Sequence, residues 1–320
     1  MDRRSMLQGL LASGLGTLAL PAKSNSPYPS KPVKIVVVFP PGGGTDAVSR
    51  HIANAMAESM KQSVIVENKP GGSTIIGSDH VAKSAPDGYT LLVTSVPLVT
   101  NPSLQKNLPY DTLKAFAPIS RAVDSPFVLT VAPSSPIKSL KDMVALGSTR
   151  KLTFGSAGNG TADHLGMELL AIQQGVPMVH AAYKGSAPAM LDLMGGHIDC
   201  MFANIVAVTP HLNAGKLRGI AVSSAKRSFL QPDMPTLQEL GGKPFDVTAW
   251  TGFLAPAGTD PAIVELLSVE IRKALAVPVV REFVMKGGGD PVATTPADFA
   301  AFIEREIPIW ADIVRQAKLS

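Results

Sequence analysis

One cysteine, few charges and no apolar run of membrane-spanning length bound what this 320-residue sequence can be. Cys200 has no partner for an internal disulfide, and it lies in the apolar stretch 198–205, so it reads as a small buried hydrophobe. A chain that does not depend on thiols suits an oxidising compartment. Charged residues make up only 17%, and the positive ones are scattered without a run of five, which argues against a nucleic-acid surface despite a net charge of +4. Metal-ligand spacing is missing from the histidines (His51, His80, His164, His180, His197 and His211). Ser156 has a glycine two positions after it but Phe154 two positions before it, so it does not form a nucleophile elbow. No glycine-rich turn ends in Gly-Lys-Ser/Thr, and none fits Gly-x-Gly-x-x-Gly followed by an acid about 20 residues on. Nothing here asks for a metal or a cofactor.

What is present begins with a targeting pattern. Arg3 and Arg4 precede an apolar run from Leu10 to Leu20 that is too short for a permanent membrane helix, which needs about 20 apolar residues. This is the n-region and h-region of an export signal, and the paired arginines look like those of a twin-arginine signal. Ala22 is a candidate last residue before cleavage, although Leu20 is larger than a signal peptidase prefers. Residues 1–26 are therefore expected to be signal peptide and linker, and the mature protein to be soluble and periplasmic.

Roughly 295 residues then remain, enough for one large or two ordinary domains. Strands are expected at 33–39, 63–67, 89–95, 127–132, 152–155, 178–183, 198–203, 217–222 and 247–255. Helices are expected from Thr45 or Asp46 to Lys61, then at 74–84, 140–146, 161–174, 187–194, 261–276 and 296–316. Such alternation predicts an α/β protein whose sheets are mostly parallel and flanked by helices. The strands near 124–132 and 247–255 can each pass between lobes. They divide the chain into one lobe of residues 27–126 plus 250–320 and a second of residues 127–249.

Two segments share one design of strand, glycine-rich turn, threonine, acid and helix. In the first, Pro40-Pro41-Gly42-Gly43-Gly44 leads to Thr45-Asp46; in the second, Ser156-Ala157-Gly158-Asn159-Gly160 leads to Thr161-Ala162-Asp163. Glycines let the main chain turn with positive φ and bring its N–H groups close to a ligand. The helix behind each turn presents unpaired donors and partial positive charge, which suits a carboxylate or a phosphate. If the loops belong to different lobes, they face each other across a cleft. The plainer reading is a turn that only caps a helix. Asp46 and Asp163 fit that role, while Asp46 is also placed to accept a hydrogen bond from a ligand. Lys184, in Tyr183-Lys184-Gly185-Ser186, can add charge to an anion site or stay solvated. Trp250 and Phe253 can wall a site or pack in the core. His164, one turn into the second helix, is the histidine nearest such a site.

Several ordered motifs then stand together over nearly the whole chain from residue 28. They are Tyr28-Pro29-x-Lys31-Pro32-Val33, the 40–46 loop, Ala85-Pro86-Asp87-Gly88-Tyr89-Thr90-Leu91-Leu92 and Leu108-Pro109-Tyr110-Asp111. Phe154-Gly155-Ser156-x-Gly158-Asn159-Gly160-Thr161, Tyr183-Lys184-Gly185-x-x-Pro188-Ala189, Gly195-Gly196-x-Ile198-Asp199 and Leu254-Ala255-Pro256-Ala257-Gly258-Thr259 complete the set. With these motifs the chain resembles the tripartite tricarboxylate transporter substrate-binding proteins, also called the Bordetella uptake gene family.

The resemblance implies a two-lobed periplasmic-binding-protein (Venus flytrap) fold and no catalysis. It also implies a ligand carboxylate held by main-chain N–H groups of both loops. The residues concerned are Gly43, Gly44, Thr45 and Asp46 on one side, and Ser156, Gly158, Asn159, Gly160 and Thr161 on the other. Ser95, Tyr183, Lys184, Asn204 and Trp250 map to a more variable wall. Family members often carry an acid just before the position of Asn204, where this chain has Ala203, which argues against an amino-acid ligand. Dicarboxylates, tricarboxylates, aromatic acids and nicotinate-like acids stay open. The implied partner is a membrane permease with one large and one small subunit, and a monomer is the expected state. A sensor that hands ligand to a receptor is the second reading, and a hydrolase using Ser156 or Cys200 is the rival of a different class.

Overall fold

A computed structural model describes residues 28–241, 243–317 and 319. The export signal and the Ala22 cleavage position expected above lie outside the described residues.

Four buried valine and isoleucine side chains make β1 (Val33–Val37) a central strand. The glycine turn lets α1 (Gly44–Met60) start early, with Gly43 as its N-cap, so Thr45 and Asp46 stand inside the first turn and not at the cap expected for them. Then come β2 (Val64–Asn68), α2 (Ile75–Ala82) and β3 (Thr90–Thr94), with β1 parallel to both β2 and β3. The short helix α3 (Pro97–Leu104) was not expected; it contains Pro102 and spans only two turns, too little for a readable period.

The strand expected at 127–132 is the end of a much longer one, β4 (Phe116–Val131). Pro118 and Pro126 hid it, since proline argues against a central strand. Irregularities at Pro118/Ser120 and Arg121/Val123 absorb part of that conflict. The second lobe follows with α4 (Leu140–Thr149), β5 (Leu152–Ser156), α5 (Ala162–Gln174), β6 (Met178–Ala182), α6 (Ser186–Met194) and β7 (Cys200–Asn204). It closes with α7 (Ile205–Asn213) and β8 (Arg218–Val222). The chain returns as β9 (Thr248–Pro256), α8 (Pro261–Ala276), α9 (Pro278–Lys286), the two-residue β10 (Asp290–Pro291) and α10 (Pro296–Gln316). Neither α7 nor α9 was expected.

The sheet order is β2-β1-β3-β9-β4-β7-β5-β6, with β8 and β10 also paired to β4. Its flanks are parallel, β5 pairing in parallel with β6 and β7, whereas every ladder of β4 and β9 is antiparallel. β4 belongs to both lobes: Phe116–Pro126 pairs with β9, and Phe127–Val131 pairs with β7 and β8. On one face of the first lobe, Ile52, Met56, Leu267, Ile271 and Val284 from α1, α8 and α9 pack under β1 and β3. On the other face, Trp250 meets Phe299 and Phe302 of α10 edge-on, at 5.7 Å each. Helix α10 touches α3 of the first lobe and α5 of the second.

Candidate functional site

A cavity of about 500 Å³ lies where the two lobes meet over the antiparallel strands. Its floor holds Val123 and Ser125 of β4 with Ala249 and Thr251 of β9. Alternation along these strands sends Asp124 and the indole of Trp250 to the opposite face, where Trp250 packs on α10. The first lobe contributes Gly44, Thr45 and Val48 of α1, Ser95 just after β3, and Phe283 and Val284 of α9. The second contributes Asn204, Val206 and Ala207 at the start of α7. Two helix N-termini, one from each lobe, therefore border one space.

The α1 terminus is open to a guest. No side chain caps it, because the N-cap is Gly43. The first-turn N–H groups of a helix have no partner within it, and the helix start carries roughly half a positive charge. Asp46 sits in this turn, but its carboxylate is drawn back into the protein. Oδ2 accepts from the Gly42 N–H at 2.9 Å and from Arg50 Nε at 3.1 Å, and Oδ1 accepts from Asn68 Nδ2 at 2.9 Å. Arg50 NH2 stands 3.0 Å from Oδ1 as well. Burial alone would raise the Asp46 pKa; the bonds from Arg50, Gly42 and Asn68 outweigh it and hold the group below its ordinary value. The α7 terminus is capped by a neutral group. Asn204 Oδ1 accepts from the Val206 N–H at 3.1 Å, and its Nδ2 donates to Ser125 Oγ at 3.0 Å, tying the helix start to β4.

The second glycine loop is built differently from the first. Ser156, Gly158, Asn159, Gly160 and Thr161 lie outside the cavity lining, and the N–H groups of Ala157, Gly158, Gly160 and Thr161 already have acceptors. Ala157 donates to Asp163 Oδ2 at 2.7 Å, Gly158 to Ser156 Oγ at 3.1 Å, and Gly160 to His164 Nδ1 at 3.0 Å. The Thr161 N–H reaches the Gly158 carbonyl at 3.5 Å. Asn159 is the exposed tip. Asp163 is buried, and burial pushes its carboxyl up against the hydrogen bonds that lower it. Ser156 Oγ is 2.6 Å from His180 Nε2, and the His180 ring stacks on His164 at 3.8 Å. Burial, then the neighbouring His180, holds His164 down to about 4. As Nδ1 accepts from Gly160, His164 is neutral. A Cβ on Gly160 would come within 2.8 Å of Leu104 Cδ1, so this loop rests on the end of α3.

Of the residues singled out from the sequence, the cavity gathers Gly44, Thr45, Ser95 and Asn204, with Gly43 and Asp46 beside it, while Trp250 borders it with its indole turned away to α10. Tyr183 and Lys184 are elsewhere. The Tyr183 hydroxyl donates to Asp192 at 2.6 Å, which pushes it up to about 12, and Lys184 is exposed. Ala203 is fully buried in the second lobe's core, so an acid missing there says nothing direct about this cavity. Neither nucleophile of a hydrolase is accessible: Ser156 is fully buried, and burial pushes the Cys200 thiol up to about 12. Among the described residues no group of three acids, histidines or cysteines could hold a metal, and no helix is long and apolar enough to cross a membrane. Sequence reasoning missed Ser125, Val206, Ala207, Phe283 and Val284, and with them Val123, Ala249, Thr251, Gly287 and Gly289. Asn204 before an apolar run is a readable N-cap signal, and Val277-Pro278 is a readable helix start.

Residues 48–319 match the family described as tripartite tricarboxylate transporter family receptor. Protein BugT of Bordetella pertussis is 38% identical, over 99% of this chain and 98% of that protein. Two solved structures from Rhodopseudomonas palustris share the fold. Rpa4515 with adipate is 31% identical with a TM-score of 0.79, covering 91% of this chain and 99% of its own. MatC with bound malate is 31% identical with a TM-score of 0.75, covering 90% and 100%. By this match over most of its length, the chain belongs to the tripartite tricarboxylate transporter receptor family.

Proposed function

We propose that this protein captures a small organic carboxylate outside the cytoplasm and delivers it to a tripartite tricarboxylate-type permease, without catalysing a reaction. The single observation that carries this reading is the pair of helix N-termini, one from each lobe, at one cavity. Carboxylates in two relatives of the same fold support it. A charge-assisted hydrogen bond contributes about 1.5–3 kcal/mol. Four such bonds leave a micromolar affinity, near −8 kcal/mol, after the costs of closure. The lobes are residues 27–126 plus 250–320 and residues 127–249, with the hinge where β4 changes partners at Pro126–Phe127 and where β9 crosses back. Ligand touching both lobes favours the closed form by its differential affinity for it. The paired-arginine leader directs export to the periplasm, where the protein works as a monomer.

The test is a thermal-shift screen of organic acids on protein stripped of ligand by unfolding and refolding. A saturable rise in Tm with at least one carboxylate, and none with matched amides, is the expected outcome. No response to any acid, or turnover of model esters that is lost in Ser156→Ala, would sink the proposal.

A further inference from the structure

The cavity's walls narrow the class of acid. None of its lining residues is charged, and apolar groups dominate: Val48, Val123, Val206, Ala207, Phe283 and Val284. We infer that the ligand carries a single carboxylate on an uncharged, apolar body, and that Phe283 is the residue that selects the body. This inference rests on the binding reading above and narrows its substrate class.

Charge sets the first limit. Two helix starts at roughly half a unit each supply about one positive charge, enough to offset one carboxylate. A second or third carboxylate enclosed by these walls would have lost water without gaining a counter-charge. Among the described residues no lysine, arginine or histidine lines the space. Arg50 is held by Asp46, and donors at the α5 terminus are already taken by the buried carboxyl of Asp163, which also accepts from the Ala157 N–H of the loop in front. The α7 terminus, by contrast, has no acid in its first turn.

Polar capacity sets the second limit. Asn204 spends Oδ1 on the Val206 N–H and one amide hydrogen on Ser125 Oγ, and the side-chain donors left to a ligand are neutral, chiefly the hydroxyls of Ser125, Thr45, Ser95 and Thr251, so none can balance a further carboxylate. The third observation is the wall itself. The Phe283 ring stacks on His51 at 3.7 Å with 13° between planes, and His51 is anchored through Nδ1 to the Ala47 carbonyl at 2.9 Å. Phe283 is thereby a fixed flat surface beside the α1 terminus. An apolar body next to the bound carboxylate would lie against it. A ligand of this kind differs from the malate bound to MatC.

Isothermal titration of the refolded, ligand-free chain decides the matter, with benzoate, hexanoate, malate and citrate as probes. Benzoate or hexanoate is expected to bind at least ten-fold tighter than malate or citrate. Phe283→Ala should weaken the apolar acids about ten-fold and leave malate within two-fold. Phe283→Leu, which keeps apolar bulk on α9, should restore most of the loss and also guards against a folding artefact. Malate or citrate binding as tightly as the apolar acids, or an equal loss for all acids in Phe283→Ala, overturns this inference while leaving the carboxylate reading intact. Failure of all four probes together with the wider acid screen overturns both.

Discussion

Asp46 and Asp163 show how one residue pattern yields two different loops. Each acid stands in the first turn of a helix and accepts an N–H from the glycine loop in front of it. Asp46 has Arg50 one turn later, which balances its charge and leaves the helix start free to attract an anion. The position one turn after Asp163 is Met167, so that carboxylate itself faces its own helix start. This difference was legible in the sequence as arginine against methionine four residues on, although the shared glycines masked it. Two predictions belong here. Gly43 has φ −78° and ψ 167°, and a Cβ there meets nothing closer than 3.8 Å, so Gly43→Asp fits the backbone. Its carboxylate would cap α1 and compete with the ligand for the same donors. Urea unfolding should show stability unchanged or raised by up to about 1 kcal/mol, while calorimetry shows carboxylate affinity down ten-fold or more.

The second concerns His164, which is almost fully buried and depressed from 6.5 to about 4. Between those values the unfolded chain binds the proton and the folded chain does not. Its contribution to stability is therefore complete above pH 6.5 and falls away as pH drops toward 4. From pH 6.5 to 5 the loss should approach about 2 kcal/mol. His164→Asn, which keeps an acceptor for the Gly160 N–H, should flatten that part of the urea-stability profile; an unchanged slope would assign the acid sensitivity to other groups.

At the scale of elements, the long regular pieces were readable and the short ones at the site were not. β1, α5, α8 and α10 followed period and capping signals closely. Helices α3, α7 and α9 have eight or nine residues each, so they barely complete the two turns that a period needs. α7 follows β7 with no loop between them, and Asn204 both ends the strand and caps the helix. That missed helix and α9 contain Val206, Ala207, Phe283 and Val284, four of the cavity residues absent from the sequence reading. Asn204→Asp keeps an acceptor for the Val206 N–H and places a negative charge beside the cavity. Stability in urea should stay within about 1 kcal/mol, and carboxylate affinity should fall at least ten-fold. Equal affinity in the two proteins would remove the α7 terminus from the site.

For the whole molecule, the two-lobed arrangement was legible because strand-turn-helix units repeat on both sides of the strands near 127 and 250. The antiparallel middle was less so, since β4 carries prolines at 118 and 126 that read as stops. These shared strands are what bending must work through. If carboxylate draws the lobes together, the radius of gyration from small-angle scattering should fall on saturation with ligand and recover on dialysis. Identical profiles with and without a ligand that calorimetry shows to be bound would mean that capture proceeds without a change of shape.

Cys200 has a practical consequence for watching that motion. It is the protein's sole thiol, fully enclosed in β7 and strongly resistant to deprotonation. Maleimide reagents react with thiolates at accessible positions, so the native chain should stay unlabelled. Cysteines placed at exposed Lys61 in one lobe and exposed Lys216 in the other would then take a donor–acceptor dye pair against a silent background, turning opening and closing into a fluorescence signal from single molecules.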